Sequence, residues 1–153
     1  MKRTLKILGI TTTILSIFLF IALALSIFTV NYALMGSLML EGGREPIRFE
    51  TTIDPATRTM AINVLVTGRN PSVLDVLIRI RVKLLSPDGA IITQGSDSKR
   101  IPAGSTAELS VKMQISAEEA LKYGLDSVRP TSAFTFEFRT FFNLVGMSIE
   151  ARG

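Results

Sequence analysis

The chain divides by the period of its hydrophobic positions. From Ile7 through Leu40 no charged residue occurs. The stretch 7–30 is densest in Ile, Leu, Phe and Ala. As a helix, its roughly 24 residues extend about 36 Å, against a membrane hydrocarbon core of about 30 Å. Thr11, Thr12, Thr13 and Ser16 are tolerable there, because a hydroxyl bonds back to a carbonyl one turn earlier. Asn31 and Tyr32 stand where a membrane–water interface is expected. A cleaved leader would have a shorter apolar core ending in small residues. Ala22-Leu23-Ala24 has that form, but the apolar run continues to Val30, so an uncleaved anchor is expected. Gly9 follows Leu8, whereas a prepilin leader carries a basic residue there.

Beyond the run, Gly42, Gly43 and Pro46 mark a linker. The period then falls to two, the signature of half-buried strands. Ile47, Phe49, Thr51 and Ile53 alternate, and Asp54-Pro55-Ala56-Thr57 turns the chain. Met60, Ile62, Val64 and Val66 follow, and Gly68 to Ser72 breaks the pattern. Leu74, Val76, Ile78, Ile80, Val82 and Leu84 form the longest alternation. Ser86-Pro87-Asp88-Gly89 fits a type I turn. Residues 90–94 predict a short strand, 101–106 a turn, and Ala107, Leu109, Val111, Met113 and Ile115 another strand. Ser116-Ala117-Glu118-Glu119 is a capping box that opens a helix, and Gly124 suits its end. Phe134, Phe136, Phe138, Thr140 and Phe142 predict one strand of a last hairpin, which turns at 143–146 and returns through 147–151. About seven strands and one short helix predict an all-β fold, an immunoglobulin-like antiparallel sandwich without the Cys–Trp–Cys core. The expected organisation is a cytoplasmic basic start (1–6), a transmembrane helix (7–30), a juxtamembrane linker (31–45) and a β-sandwich domain (46–153).

Charge refines this picture. The chain has 17 Lys and Arg against 13 Asp and Glu. Lys2, Arg3 and Lys6 supply the excess, because from Glu41 onward the count is 14 against 13. Basic residues before the apolar run predict a cytoplasmic N-terminus and an extracytoplasmic domain at the cell membrane. The near-neutral domain gives no support for nucleic-acid binding. With no Cys and no His, thiol and imidazole chemistry and their metal sites are excluded. No D-x-D-x-D-G loop or G-x-S-x-G elbow occurs. Glu118 and Glu119 are neighbours on a helix and do not face each other. No catalytic residue, cofactor or metal is expected.

Several motifs then fall into a familiar order. Asn70-Pro71 opens the long strand, which ends in a Pro-Asp-Gly turn. Ile101-Pro102-Ala103-Gly104-Ser105-Thr106 precedes the alternating strand 107–115, and the Phe-rich hairpin closes the chain. This order resembles the WHy (water stress and hypersensitive response) domain of late-embryogenesis-abundant type 2 proteins, over roughly residues 46–153. The sequence departs from the family's usual Asn-Pro-Asn-Pro run, having Ser72-Val73-Leu74 after Asn70-Pro71. The resemblance implies a two-sheet sandwich with one helix, membrane-anchored relatives, and roles in dehydration protection or, for some relatives, lipid binding in a groove. It implies no catalytic residue.

The candidate positions are few. Asn70, Pro71, Pro102 and Gly104 carry the family motif, and an Asx turn is the expected role of Asn70. Arg79, Arg81 and Lys83 share the outward face of one strand, where clustered cations attract phosphates, headgroups or another anionic ligand. Alternating charge is ordinary on a half-exposed sheet, and pairing with Glu108 or Glu137 on neighbouring strands is expected. Leu77, Leu85 and Phe141 lie in the outward phase of their strands and would make an apolar patch if clustered. Three functions follow as expectations: a tethered, non-enzymatic interaction or stress-protection module; a lipid-binding or lipid-transfer module; or a subunit of a surface filament or membrane assembly, built through exposed strand edges.

Overall fold

A computed structural model describes residues 2–38, 47–123 and 131–152. Helix α1 spans Lys2–Leu38, followed by strands β1 (Ile47–Asp54), β2 (Thr59–Arg69), β3 (Val76–Leu85), β4 (Ile91–Ile101) and β5 (Thr106–Ser116). Helix α2 (Ala117–Lys122) precedes the hairpin of β6 (Thr131–Thr140) and β7 (Val145–Arg152). The strands form two antiparallel sheets. Sheet A has the order β1-β2-β5 and sheet B the order β4-β3-β6-β7. This is the sandwich that period-two alternation predicts.

The inward phase of each strand makes the core. Val64, Val76, Ile78, Ile80, Val82, Leu109, Val111 and Phe138 are fully buried between the sheets. Each such side chain contributes roughly 1.5–3 kcal/mol by leaving water. On one side the sheets close on each other through β4 and β5. There Thr93 Oγ1 donates to the Gln114 carbonyl at 3.1 Å, and Ser110 N–H to Asp97 Oδ2 at 2.9 Å. Gly95 permits this seam, since a Cβ at that position would lie 2.8 Å from both the Lys112 carbonyl oxygen and Val111 Cγ1.

The registers define two ends of the sandwich. One holds the Arg69–Asp75 loop and the β4–β5 and β6–β7 turns. The other holds the β1–β2 and β3–β4 turns, α2 and Arg152. At the second end, Ser116 accepts from Glu119 N–H while Glu119 Oε2 accepts from Ser116 N–H, as the capping box predicts. In the β3–β4 turn Gly89 N–H donates to the Ser86 carbonyl at 2.8 Å, the bond expected of a Ser-Pro-Asp-Gly turn.

Four features differ from the sequence expectation. Helix α1 does not stop near Val30. It runs to Leu38, so 31–38 is helix rather than linker. The reason lies in packing: Ala22, Ser26, Thr29, Val30, Ala33 and Ser37 form one buried stripe, at spacings that share a helix face. That stripe rests on the open side of the sandwich, against β2 of sheet A and β3, β6 and β7 of sheet B. Strand β4 is longer than 90–94, because its full length ladders onto β3. Strand β6 ends at Thr140, and the turn occupies 141–144. Phe142 therefore leaves the inward phase and is exposed. The expected linker glycines 42 and 43 and Gly124 lie outside the described residues.

Candidate functional site

The β3 alternation turns Arg79, Arg81 and Lys83 onto the outer face of sheet B. The registers bring more cations to that face. Arg100 of β4 and Arg139 of β6 stand opposite Leu77, and Arg152 of β7 stands opposite Ala133. Six cations thus share a face whose carboxylates are Glu137 and Glu150. Small polar residues, Ser96, Ser98, Thr135 and Ser148, lie between them. The outer face of sheet A is balanced, with Glu50, Asp54 and Glu108 against Arg48, Arg69 and Lys112. The near-neutral total of the domain conceals this concentration.

Pairing is partial. Arg79 Nη1 meets Glu137 Oε2 at 3.2 Å, and Arg139 holds the other carboxylate oxygen. The hydrogen bond from Arg139, then the charges of Arg139 and Arg79, keep the Glu137 carboxyl below its ordinary range. Glu108, the other expected partner, lies on sheet A and pairs with Arg48 at 2.9 Å. The register decides this, since β5 pairs with β2 and not with β3. Arg81 and Lys83 have no ion pair among the described residues. Beside Arg81 the face carries a shallow hollow of about 340 Å³, lined by Arg79, Arg81, Thr135, Glu137, Arg139 and Ser148. A second hollow, about 330 Å³, continues past Gly146 to Leu144. Such a face suits an extended anion held by guanidinium and ammonium groups.

The motif residues act mechanically. Asn70 is fully buried. Its amide donates to the Leu74 carbonyl at 2.8 Å and the Ile101 carbonyl at 3.0 Å, and its Oδ1 accepts from Ser72 N–H at 3.2 Å and Ser72 Oγ at 2.6 Å. This is the expected Asx turn, with an added strap to the end of β4. Pro71 packs beside Gly36 of α1, where a Cβ would stand 3.0 Å from the proline ring. Pro102 accepts from Ser105 N–H at 3.1 Å, and Gly104 has φ +70°, the positive value that the third position of a type II turn demands. Leu77 and Leu85 stand at opposite ends of β3 and do not cluster.

The stripe on α1 was hidden within a uniformly apolar run. Its signal is the spacing of the small and polar residues Ala22, Ser26, Thr29, Ala33 and Ser37. Ser37 Oγ accepts from Arg69 N–H at 3.1 Å, and Ser26 Oγ donates to the Ala22 carbonyl at 2.7 Å. The apolar space left beneath α1, beside Ser37, Val66, Ile80 and Phe136, is only about 20 Å³. Among the described residues one helical span, Ile10–Ser37, is long and apolar enough to cross a membrane. Among the described residues no group of three Asp or Glu side chains is placed to hold a metal ion.

No family model matches the chain. No curated protein matches it. Solved structures do resemble it in part. A beta-glucuronidase of Bacteroides uniformis aligns with 72% of this chain and 13% of its own, at 10% identity and TM-score 0.48. A putative beta-galactosidase of Bacteroides fragilis aligns with 70% of this chain and 15% of its own, at 8% identity and TM-score 0.46. A protein from Archaeoglobus fulgidus aligns with 71% of this chain and 93% of its own, at 8% identity and TM-score 0.43. The chain thus spans a small part of either enzyme, and at these identities and scores the likeness carries no argument about function.

Proposed function

We propose that this chain is a non-enzymatic, membrane-tethered binding module of WHy type, held by α1 with its sandwich outside the cytoplasm. Its sheet B face takes an anionic polymer or surface group. The observation that carries this reading is the concentration of cations on one sheet face, with Arg81 and Lys83 in no ion pair among the described residues and Arg81 lining a hollow. The order of the Asn70-Pro71 and Pro102–Ser105 motifs supports the family assignment, and the basic residues Lys2, Arg3 and Lys6 support the orientation. Dehydration protection remains the physiological role that the resemblance implies.

Lipid binding between the sheets is favoured by one feature, the apolar interior beneath α1. With α1 docked, about 20 Å³ is far too small for an acyl chain, so this reading requires α1 to leave.

The test uses the full chain in neutral-lipid nanodiscs, titrated with inorganic polyphosphate. Saturable binding that weakens with salt, and is lost in Arg81→Glu/Lys83→Glu but kept in Lys112→Gln, is expected. Equal binding by both variants would refute the sheet B assignment. Absence of any binding would refute the anionic-partner reading.

A further inference from the structure

Helix α1 carries two stripes. Ala22, Ser26, Thr29 and Ala33 are buried on the sandwich. Two residues on from each, about 200° round the helix, stand Ala24, Phe28, Asn31 and Met35. This second stripe continues toward the N-terminus through Ile21 and Ile17. Its spacings alternate between four and three, the repeat that keeps one seam aligned along a pair of helices.

The two halves of the second stripe meet different surroundings. A crossing that begins at Ile7 takes about 20 residues. Ile17 and Ile21 fall within it, where lipid tails are as apolar as a protein partner and drive no association. Phe28, Asn31 and Met35 lie beyond it, beside the sandwich, with Phe28 62% and Met35 53% exposed. Apolar side chains outside the hydrocarbon are stabilised by being covered. Asn31 is exposed on the same face and is the one amide side chain of α1. Its Nδ2 donates to the Ile27 carbonyl at 2.9 Å, which leaves its second N–H available, and its Oδ1 accepts from no described residue.

We propose that a second copy of this chain covers the stripe, α1 against α1, as a parallel pair. Copies tethered in one membrane share an orientation, so their helices run parallel and the twofold axis lies along them. Each stripe residue then meets its own counterpart. The Asn31 amide of one copy donates to the Asn31 Oδ1 of the other, a self-complementary contact that fixes the register. The docked stripe is turned away from the axis, so each copy keeps its own sandwich on α1. From Ile17 to Met35 the contact is a strip about 27 Å long and about 10 Å wide, on the order of 300 Å² per copy, against about 800 Å² in a standard interface. The pair is therefore reversible and depends on confinement in the membrane. The inference rests on reading α1 as a membrane anchor.

The chain contains no Cys, so each introduced thiol reports from one place. Full-length Leu23→Cys, Ala24→Cys, Leu25→Cys, Ser26→Cys and Met35→Cys are reconstituted singly in phosphatidylcholine vesicles at low protein density. The vesicles are floated on a density gradient and oxidised with copper-phenanthroline. Circular dichroism confirms the sandwich in each. Leu23 and Leu25 flank Ala24 at nearly its depth, about 100° to either side. Disulfide-linked dimer is expected to form several times faster in Ala24→Cys and Met35→Cys than in Leu23→Cys and Leu25→Cys. Asn31→Asp added to Ala24→Cys sets like charges across the pair, and is expected to bring its rate down to that of the flanking positions. Equal rates at Leu23→Cys, Ala24→Cys and Leu25→Cys overturn the pairing and leave the anchor intact. Fastest linkage at Ser26→Cys overturns the choice of face. An unchanged rate with Asn31→Asp overturns the Asn31 contact. A chain that fails to float with the vesicles overturns the anchor, and the pairing with it.

Discussion

Asn70 is the side chain whose replacement most directly tests the packing described above. It is fully buried, and its amide is the donor to two backbone carbonyls, those of Leu74 and Ile101. Asn70→Ala removes both bonds and the acceptor of Ser72. Each buried polar group left without a partner costs about 1–3 kcal/mol. Some of that cost is recovered if water enters, so a loss of about 2–4 kcal/mol is expected. For a domain of this size, that lowers Tm by roughly 10–25 °C. Asn70→Asp has nearly the same shape but opposite logic. Its oxygens still accept from Ser72, yet they bring a carboxylate against two carbonyl oxygens in a buried site. Desolvation and those carbonyls raise its folded pKa above the ordinary Asp value of about 3.9. The protonated acid can donate one bond, so Asn70→Asp is least destabilised below the unfolded pKa. Stability is then lost as pH rises through the folded value. At neutral pH Asn70→Asp should be less stable than Asn70→Ala. The assay is urea unfolding of the full chain in detergent, followed by circular dichroism at several pH values. An Asn70→Ala loss under about 0.5 kcal/mol would refute the strap, since that is the range of an unremarkable surface substitution. Asn70→Asp matching wild type at neutral pH would refute its hydrogen-bond assignment.

Three further outcomes are expected. Gly95→Val drives a side chain into the Lys112 carbonyl and Val111, parts the β4–β5 seam and costs at least about 1–3 kcal/mol, read as a lower urea midpoint. A chain beginning at residue 39 uncovers the interior that Val30 and Ala33 seal, forfeits about 1.5–3 kcal/mol for Val30 alone, and should bind a hydrophobic dye, whereas one beginning at residue 20 should not. Glu137 has a lowered folded pKa, so its pairs stabilise the fold above the unfolded Glu value and that contribution is lost as pH falls through the folded one. Glu137→Gln should flatten the acid limb of a Tm-against-pH profile by about 0.2–1 kcal/mol, the scale of half-exposed pairs, and should tighten polyphosphate binding by freeing Arg79 and Arg139.

Much of the architecture was legible locally. Turns are chosen by residues within four positions of one another, so Ser86–Gly89 and the Ser116–Glu119 capping box could be read directly. Alternation in β2, β3 and β5 is fixed by the pleat, which sends neighbouring side chains to opposite faces. It correctly assigned Val64, Val76–Leu84 and Leu109–Ile115 to the core. The length of β4 was less legible. Beyond Gln94 its residues are Gly, Ser, Asp, Lys and Arg, whose strand state comes from laddering onto β3 rather than from their own burial.

By itself, then, the sequence determined an apolar helix, seven strands, their turns and the inward face of most strands, because each depends on local period and local hydrogen bonds. Tertiary structure alone decided which strands are neighbours. That choice gave Glu137 to Arg79, sent Glu108 to Arg48, and gathered Arg100, Arg139 and Arg152 beside Arg81 and Lys83. It also decided that the last four turns of α1 belong to the sandwich. An unbroken apolar run does not distinguish lipid from a protein core as the medium that will surround it. The distinction was made by the opening between the two sheets, which the strands create and which the small side chains from Ala22 to Ser37 are shaped to cover.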